Sequence, residues 1–256
     1  VEGALTGDQN ASMGGGNTIP YNSLLSFFGR ANYSYKDKYM VTAIVRADGS
    51  CNFAKGNRWG VFPSVSAGWR VSKEGFWDVP WMNDLKFRYS YGQLGSQNVG
   101  DYDWMSLINS YTSYLYTGTY DVTPGQAVVE LANKDISWET LIQHNWGIDM
   151  AFLNNQLLVT AEYYISKSAD CLYSQEILRV TGATNNPVVN SATLTNRGIE
   201  LSVKWRQTVN RDFNYSIGVN LSHNKNTLEG LGYGVSEYTT TSTISKVGYP
   251  LGMFYL

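Results

Sequence analysis

Aromatic and acidic side chains are concentrated in one stretch of the chain, between residues 94 and 138. Aromatic faces stack on the apolar C–H faces of sugar rings, and carboxylates accept hydrogen bonds from sugar hydroxyls. The pattern favours a loop that contacts a glycan, and the alternative is a loop that packs only on itself. The candidate ligand contacts are Tyr102, Trp104, Tyr111, Tyr114, Tyr116, Asp101 and Asp103, with Tyr120 and Asp121 nearby.

Catalytic chemistry is not indicated by any motif. The two histidines are His144, in an alternating segment beside Trp146, and His223, which is expected near the end of a strand at the extracellular mouth. There is no Gly-x-Ser-x-Gly elbow, no paired-histidine metal spacing and no phosphate-binding glycine loop. We therefore expect a protein that is not an enzyme and that carries neither a metal nor a cofactor.

A second group of charged side chains occupies the polar side of alternating segments. Its cationic members are Arg30, Arg46, Arg70, Lys86, Arg88, Lys204 and Arg206. They could guide an anionic substrate, or they could form ion pairs with acids such as Glu162 and Glu200 or with another domain. The second interpretation is favoured, because charges that face a confined interior are usually paired.

Eight segments with a two-residue hydrophobic period must position these groups. They cover residues 23–35, 39–48, 59–72, 85–93, 139–153, 157–166, 197–206 and 213–224. Successive side chains of a strand point to opposite faces, so each segment has one apolar and one polar face. Outward aromatic residues gather next to the short turns, where a membrane interface belongs. These are Tyr33, Tyr35, Tyr39, Trp69, Trp205, Phe213 and Tyr215.

The connections between these segments alternate between short and long. The long ones cover residues 49–58, 94–138, 167–196 and 225–247, so they all lie at one end of an antiparallel sheet. Outer-membrane barrels have short periplasmic turns and long extracellular loops. The predicted fold is therefore all-β, a transmembrane antiparallel β-barrel in the outer membrane. A soluble β-sandwich also alternates, but its strands usually have only about five or six residues.

Composition agrees with a membrane barrel. The 256 residues carry a net charge of -2 and have no basic run, which argues against nucleic-acid binding. No apolar run reaches about 18 residues, which excludes membrane-spanning helices. The chain lacks an initiating Met and ends in an apolar run, 253–256, so we expect it to be part of a longer protein. Cys51 and Cys171 fall in predicted connections, and their spacing does not show whether they are linked.

Several motifs closely resemble the SusC-like family of TonB-dependent outer-membrane transporters. The longest covers residues 57–70, Asn-Arg-Trp-Gly-Val-Phe-Pro-Ser-Val-Ser-Ala-Gly-Trp-Arg, after Asp-Gly-Ser-Cys-Asn-Phe at 48–53. Similar stretches lie at 28–39, 85–92, 138–140 and 196–200. The resemblance covers essentially the whole chain. Family members usually have serine at the position of Cys51, which makes that thiol look incidental.

The resemblance implies a barrel of about 22 strands that is closed by an N-terminal plug domain. Residues 1–256 would form part of one barrel domain, with the plug and the remaining strands outside this chain. The expected partners are membrane lipid, a SusD-like surface lipoprotein, an oligosaccharide or peptide substrate, and the TonB–ExbB–ExbD complex, which would act through the plug. A host of the Bacteroidota type is also implied. The aromatic loop could contact the lipoprotein instead of the substrate.

The functional hypothesis is TonB-dependent import of a nutrient, with a glycan as the favoured substrate. A passive porin is the alternative within transport. A surface adhesin or structural barrel would bind a partner and move nothing, and a soluble sugar-binding sandwich would need no membrane. A plug domain on the intact chain would separate the first hypothesis from the others.

Overall fold

The residues that the structure describes form thirteen β-strands. A computed structural model describes residues 22–100, 103–115, 122–183, 185–232 and 234–254. In chain order the strands are β1 (Leu24–Tyr35), β2 (Tyr39–Ser50), β3 (Trp59–Arg70), β4 (Met82–Ser96), β5 (Leu107–Leu115), β6 (Val122–Glu130), β7 (Glu139–Phe152), β8 (Leu157–Ser174), β9 (Val188–Thr208), β10 (Asn214–Gly230), β11 (Glu237–Thr239), β12 (Thr243–Lys246) and β13 (Met253–Phe254). Single 3-10 turns cover Val71–Lys73 and Arg179–Thr181.

The main element is an eight-stranded sheet with the order β1-β2-β3-β4-β7-β8-β9-β10. Every neighbouring pair is antiparallel. The eight predicted wall strands are therefore confirmed. Their short turns lie together at one end. Lys36 and Asp37 have positive φ angles in the turn after β1, and Asn154 and Asn155 have them in the turn after β7. An open sheet whose eight strands follow one another in chain order is what a segment of a large barrel wall looks like.

Strand register keeps side chains of one type on one face across the whole sheet. One register row contains Val41, Ala67, Tyr89, Trp146, Tyr163 and Ile199, and we call the face that carries it the apolar face. The neighbouring row contains Thr42, Ser66, Ser90, Asn145, Tyr164 and Gly198 and defines the polar face. The predicted two-sided character of each segment thus extends over six strands.

The apolar face is the exposed one. In the register row of the apolar face, Val41 is 42% exposed, Trp146 41% and Ile199 57%, whereas Thr42 and Asn145 of the neighbouring polar row are less exposed. Soluble proteins seldom expose a contiguous apolar surface of this extent, because it would have to be hydrated. In a barrel wall this face meets lipid, and the polar face lines the interior.

Five strands of the sheet are longer than predicted at the end that carries the long connections, and β2 exceeds its predicted end at 48 by two residues. β8 continues to Ser174 rather than 166, and β9 begins at Val188 rather than 197. β4 and β10 likewise run to Ser96 and Gly230. Beyond the membrane both faces of a strand can meet water or loops, so hydrophobic alternation is lost while backbone pairing continues. The prediction therefore placed the strand ends where the alternation ends.

Two of the long connections contain strands that were not predicted, β5, β6, β11 and β12, whereas β13 lies in the apolar run at 253–256, where another strand is expected to begin. β5 and β6 pair within the connection between β4 and β7, and β11–β13 form a small three-stranded sheet after β10. The apolar alternation in these short strands is too brief to separate them from loop sequence.

Both clusters of buried apolar side chains lie at the end with the long connections. One cluster contains Phe53, Phe62, Ile136 and Trp138, and a second contains Cys171, Ala192, Leu228 and Leu231.

The expectation that both cysteines lie in connections is wrong for Cys171, which belongs to β8, and the two thiols are not joined in a disulfide. Among the described residues, no helix has the length and hydropathy to cross a membrane.

Candidate functional site: the polar face and the extracellular loop

Arg88 organises the centre of the polar face. Its Nε donates to Asp149 Oδ2 at 2.7 Å, and its Nη2 donates to Asp149 Oδ1 at 3.1 Å and to Glu162 Oε1 at 2.7 Å. Asn145 donates to the second oxygen of Glu162 at 3.0 Å, and the Thr160 hydroxyl donates to Asp149 Oδ1 at 3.2 Å. The three charges come from β4, β7 and β8, so this network fastens three adjacent strands at one level of the wall.

Glycine makes room for large side chains on this face. A Cβ at Gly147 would lie 2.9 Å from Cζ of Arg88, which is closer than real Cβ contacts allow. At Gly198 a Cβ would lie 2.6 Å from Cζ of Tyr164. Gly198 belongs to the Asn-Arg-Gly-Ile-Glu motif of the sequence reading, and its contact with the tyrosine ring gives a steric reason for glycine there.

Other predicted inward cations are also paired on the polar face. Arg46 Nε lies 2.7 Å from Asp48 Oδ2, and Arg70 Nε lies 3.4 Å from Asp84 Oδ1. The Arg30 Nε donates to the Asn32 side chain at 3.0 Å. The interpretation that inward cations pair with acids of the same face is thus confirmed for Arg46, Arg70 and Arg88.

A polar recess of about 300 Å³ lies beside Arg88 on the same face. Thr42, Ser66, Lys86 and Asn145 contribute to its lining. Lys86 forms no ion pair within the described part of the chain. Besides the paired Arg88, the recess therefore offers the cationic group of Lys86 and several hydroxyl and amide groups to the interior.

The connection between β4 and β7 is fixed to the loop after β2. Asn57 Nδ2 donates to the carbonyls of Lys134 and Ile136, at 3.2 and 3.3 Å. Trp138 Nε1 donates to the carbonyl of Arg58 at 3.0 Å, and its ring packs on Phe53 with the centroids 5.1 Å apart. These contacts join two motifs that are far apart in the sequence, at 48–70 and 138–140.

A second set of contacts fixes this connection to β9. Ser137 N–H donates to Asn190 Oδ1 at 2.8 Å, and Asn190 Nδ2 donates back to the Ser137 carbonyl at 2.9 Å. Asn133 Nδ2 donates to the carbonyl of Val188 at 2.7 Å. The base of the predicted ligand-binding loop is therefore held on both sides.

Only some of the predicted ligand contacts lie among the residues that the structure describes. Asp101, Tyr102 and Tyr116, with the nearby Tyr120 and Asp121, lie outside the described residues. Tyr111 and Tyr114 belong to β5. Asp103 accepts a hydrogen bond from the Gly100 N–H at 2.8 Å, and Trp104 packs against the Phe53 cluster. The indole Nε1 of Trp104 is buried and has no hydrogen-bond partner among the described residues.

The histidines lie on the apolar face. His144 stacks on Trp146 with the centroids 5.8 Å apart, and the Tyr89 hydroxyl lies 3.0 Å from its Nδ1. His223 of β10 pairs with Ile199 of β9, and β10 runs on to Gly230, so the expectation that His223 ends a strand is wrong. β10 continues past His223 because its backbone pairing with β9 also continues there. No cluster of His, Cys, Asp and Glu able to hold a metal ion is present in the described parts of the chain.

Comparison with known proteins decides the family. Residues 3–254 match the model of the family described as TonB dependent receptor-like, beta-barrel. The chain belongs to this TonB-dependent receptor family. Its apolar face is accordingly the lipid-facing surface of an outer-membrane β-barrel, and its polar face lines the lumen.

The relatives with similar sequences come from Bacteroidota. The chain is 34% identical to the TonB-dependent receptor SusC of Bacteroides thetaiotaomicron over 92% of this chain. It is 32% identical to a TonB-dependent receptor of Formosa agariphila over 91% of this chain. The aligned parts make up 25% and 22% of those proteins, so this TonB-dependent receptor chain spans about a quarter of their length.

Solved structures show the same barrel fold. The RagAB peptide importer in its open-open state matches with a TM-score of 0.79 and 28% identity, over 93% of this chain and 26% of that one. The FrpB iron transporter from Neisseria meningitidis matches with a TM-score of 0.53 at 15% identity, which supports the fold alone. The relatives and the RagAB neighbours are receptors and importers by name, and none is named as an enzyme.

Proposed function

We propose that the intact protein that carries this chain imports a nutrient across the outer membrane, with energy supplied through TonB. Membership of residues 3–254 in the receptor family carries this proposal. The apolar and polar faces of the sheet support the proposal, because a transporter wall needs an apolar surface toward lipid and a polar surface toward a hydrated lumen. A passive porin would share this wall but would need no energy.

A glycan is the substrate that we favour. The support is the sequence of the loop between β4 and β7, which combines aromatic rings with carboxylates. Trp104 adds a specific feature, since its buried Nε1 has no partner among the described residues. A hydroxyl or carbonyl oxygen of a ligand would satisfy that donor. The proposed contacts are Asp101, Tyr102, Asp103, Trp104, Tyr111, Tyr114 and Tyr116.

A peptide is the second candidate substrate. RagAB is described as a peptide importer, and it matches this chain at 28% identity with a TM-score of 0.79. A peptide would use the same features differently, because its carbonyls could accept from Trp104 and its cationic side chains could pair with the loop carboxylates.

The proposed assembly has further parts outside this chain. We propose a barrel of about 22 strands with an N-terminal plug, to which residues 1–256 contribute one part of the wall. A SusD-like surface lipoprotein would cover the mouth, and TonB–ExbB–ExbD would act on the plug. The mass of the intact polypeptide and its co-purification with a lipoprotein test this organisation.

Uptake by whole cells tests the transport proposal. Cells that express the intact protein would be given labelled oligosaccharides and peptides, with and without functional TonB. Uptake of one class that requires both the protein and TonB is expected, with oligosaccharide as the favoured class. Uptake without TonB would indicate a porin, and binding without uptake would indicate an adhesin.

Trp104→Phe tests the ligand contact without removing the aromatic packing. We expect weaker substrate binding, by about five-fold for one lost hydrogen bond. Trp77→Phe, in the connection between β3 and β4 at the short-turn end of the sheet, is the matched control and is expected to bind like the unchanged protein. Equal binding by both variants would remove Trp104 from the proposed site.

A further inference from the structure

A groove crosses the lipid-facing surface in the middle of the sheet. Its volume is about 750 Å³, and its aromatic walls are separated by the small residues Ala67 and Ala161. Arg88 and Glu162 of the polar face also border it. The aromatic lining residues are Tyr39, Trp69, Phe87, Tyr89, Trp146 and Tyr163. One register row of this groove runs from Tyr39 through Trp69 and Phe87 to Ile148 and Ala161. Every residue of this row belongs to the apolar face.

The groove begins at the periplasmic end of the wall and rises into the membrane. Tyr39 directly follows the short turn after β1, whereas Ala161 lies four residues beyond the start of β8 at Leu157. The lining spans β2 to β9 in the sheet order, which is about 24 Å at about 4.8 Å per strand spacing. With strands tilted by about 40°, this length corresponds to a rise of about 15 Å, close to half of the hydrocarbon thickness of about 30 Å.

The entrance of the groove is fixed by Glu74. Its Oε1 accepts from the Tyr39 hydroxyl at 2.6 Å and from Trp69 Nε1 at 3.1 Å, and its Oε2 accepts from Lys38 Nζ at 3.0 Å. These bonds hold the two aromatic rings in place and keep Lys38 on the outer side of the wall. A groove whose walls are held rigid loses little conformational entropy when it is filled.

Cationic side chains lie in the two chain segments next to this entrance, and Lys36 Nζ lies over the Tyr35 ring, 5.3 Å from its centroid. Lys36 and Lys38 flank Asp37 in the turn after β1, and the carbonyl of Lys38 accepts from Arg70 N–H at 2.8 Å. Lys73 directly precedes Glu74 in the chain, and both Lys36 and Lys73 are exposed. Residues 36–38, 73 and 74 together carry three lysines and the two carboxylates of Asp37 and Glu74, an excess of one positive charge at the level of the lipid headgroups.

We propose that this groove is a binding site for one glycerophospholipid of the periplasmic leaflet, with an acyl chain in the groove and the phosphate at Lys36 and Lys73. The charge at the entrance selects a phosphate, and the length of the groove matches one leaflet. Within a bilayer the acyl chain gains no hydrophobic transfer energy, so its preference for the groove comes from dispersion contacts with the aromatic walls.

Lipid retention by the intact protein tests this site. The protein would be purified in a mild detergent, stripped of lipid, and supplied with dioleoylphosphatidylglycerol, and bound lipid would be counted by native mass spectrometry. Ala67→Phe and Ala161→Phe fill the groove. Ala43→Phe is the matched control, because Ala43 lies on the same face in β2 outside the groove lining. Heat-modifiable gel mobility confirms that each variant is folded.

Each groove-filling variant is expected to lower the affinity for the phospholipid about ten-fold, while Ala43→Phe leaves it unchanged. Lys36→Gln and Lys73→Gln test the headgroup separately and should each lower affinity about five-fold. Lys55→Gln, at the extracellular end, should have no effect.

Three results would overturn the proposal. The first is retention by Ala67→Phe and Ala161→Phe equal to that of the unchanged protein. The second is lipid A competing as well as the phospholipid, which would assign the site to the opposite leaflet. The third is a change in oligomeric mass with unchanged lipid retention, which would assign the groove to a contact between protein copies.

Discussion

Replacement of Arg88 by methionine tests the ion network at the centre of the polar face. Arg88→Met keeps an unbranched apolar side chain in place of the arginine stem but removes three charge-assisted hydrogen bonds, to Asp149 and Glu162. Both carboxylates then remain close together, and Glu162 also lies opposite Glu200 in the register of β8 and β9. The loss therefore includes repulsion between uncompensated charges as well as missing bonds.

The expected loss in the free energy of unfolding lies between the values for a buried and an exposed ion pair. The Arg88 side chain is 33% exposed and that of Asp149 is 34%. Breaking a buried pair costs about 3–5 kcal/mol and an exposed pair contributes about 0–1 kcal/mol, so we expect Arg88→Met to cost about 2–3 kcal/mol. Urea titration of the intact protein in detergent micelles would measure the change in the free energy of unfolding.

Arg70 provides the matched control. Its side chain and that of Asp84 are also 33% and 34% exposed, but their single contact is 3.4 Å long. Arg70→Met should therefore cost at most about 1 kcal/mol. Adding Asp149→Asn and Glu162→Gln to Arg88→Met should recover much of the loss, because the two carboxylates that lost their cationic partner are then neutral. Equal losses for Arg88→Met and Arg70→Met, or no loss for Arg88→Met, would refute the reasoning.

Three further predictions concern other parts of the wall. Phe53 is 0% exposed, so Phe53→Ala should lower the free energy of unfolding by about 3–5 kcal/mol and speed proteolysis of the loop between β4 and β7. Gly198→Ala would place a Cβ 2.6 Å from the Tyr164 ring and should cost about 1–3 kcal/mol in urea unfolding, with recovery when Tyr164→Ala is added. The pKa of Glu74 is lowered from 4.5 to about 2, chiefly by the hydrogen bond from Tyr39. A lowered carboxyl pKa contributes stability that is present above the ordinary value and lost as the pH falls through about 2, so Tyr39→Phe should raise the Glu74 midpoint in a carboxyl NMR titration.

The central parts of the eight wall strands could be predicted because a period of two is unambiguous where one face meets lipid. In β10, the alternation of Ile217, Val219 and Leu221 with Gly218 and Asn220 fixes both the strand and its faces. The pattern fails where the environment becomes the same on both sides. For this reason the extracellular extensions of β8 and β9 were assigned to loops, although backbone pairing continues through them.

The site was harder to predict because its groups come from distant parts of the chain. Arg88 and Asp149 are 61 residues apart and meet only through the pairing of β4 with β7. No local pattern marks Asp149 as the partner. Glu74 and Tyr39 are similarly 35 residues apart and meet only because β3 pairs with β2. The candidate loop residues followed from composition alone, which identifies side-chain chemistry but gives no geometry.

The central claim is that the apolar face of the sheet meets lipid and the polar face meets the lumen, and site-directed labelling tests it directly. Val219→Cys and Asn220→Cys would be labelled with a fluorophore, in an intact protein with Cys51→Ser and Cys171→Ser, and reconstituted into bilayers that contain brominated phospholipid. We predict that bromine quenches the label at 219, whereas a water-soluble quencher reaches the label at 220. Equal quenching of both labels by lipid, or the reverse pattern, would contradict the assignment of the apolar face to the membrane.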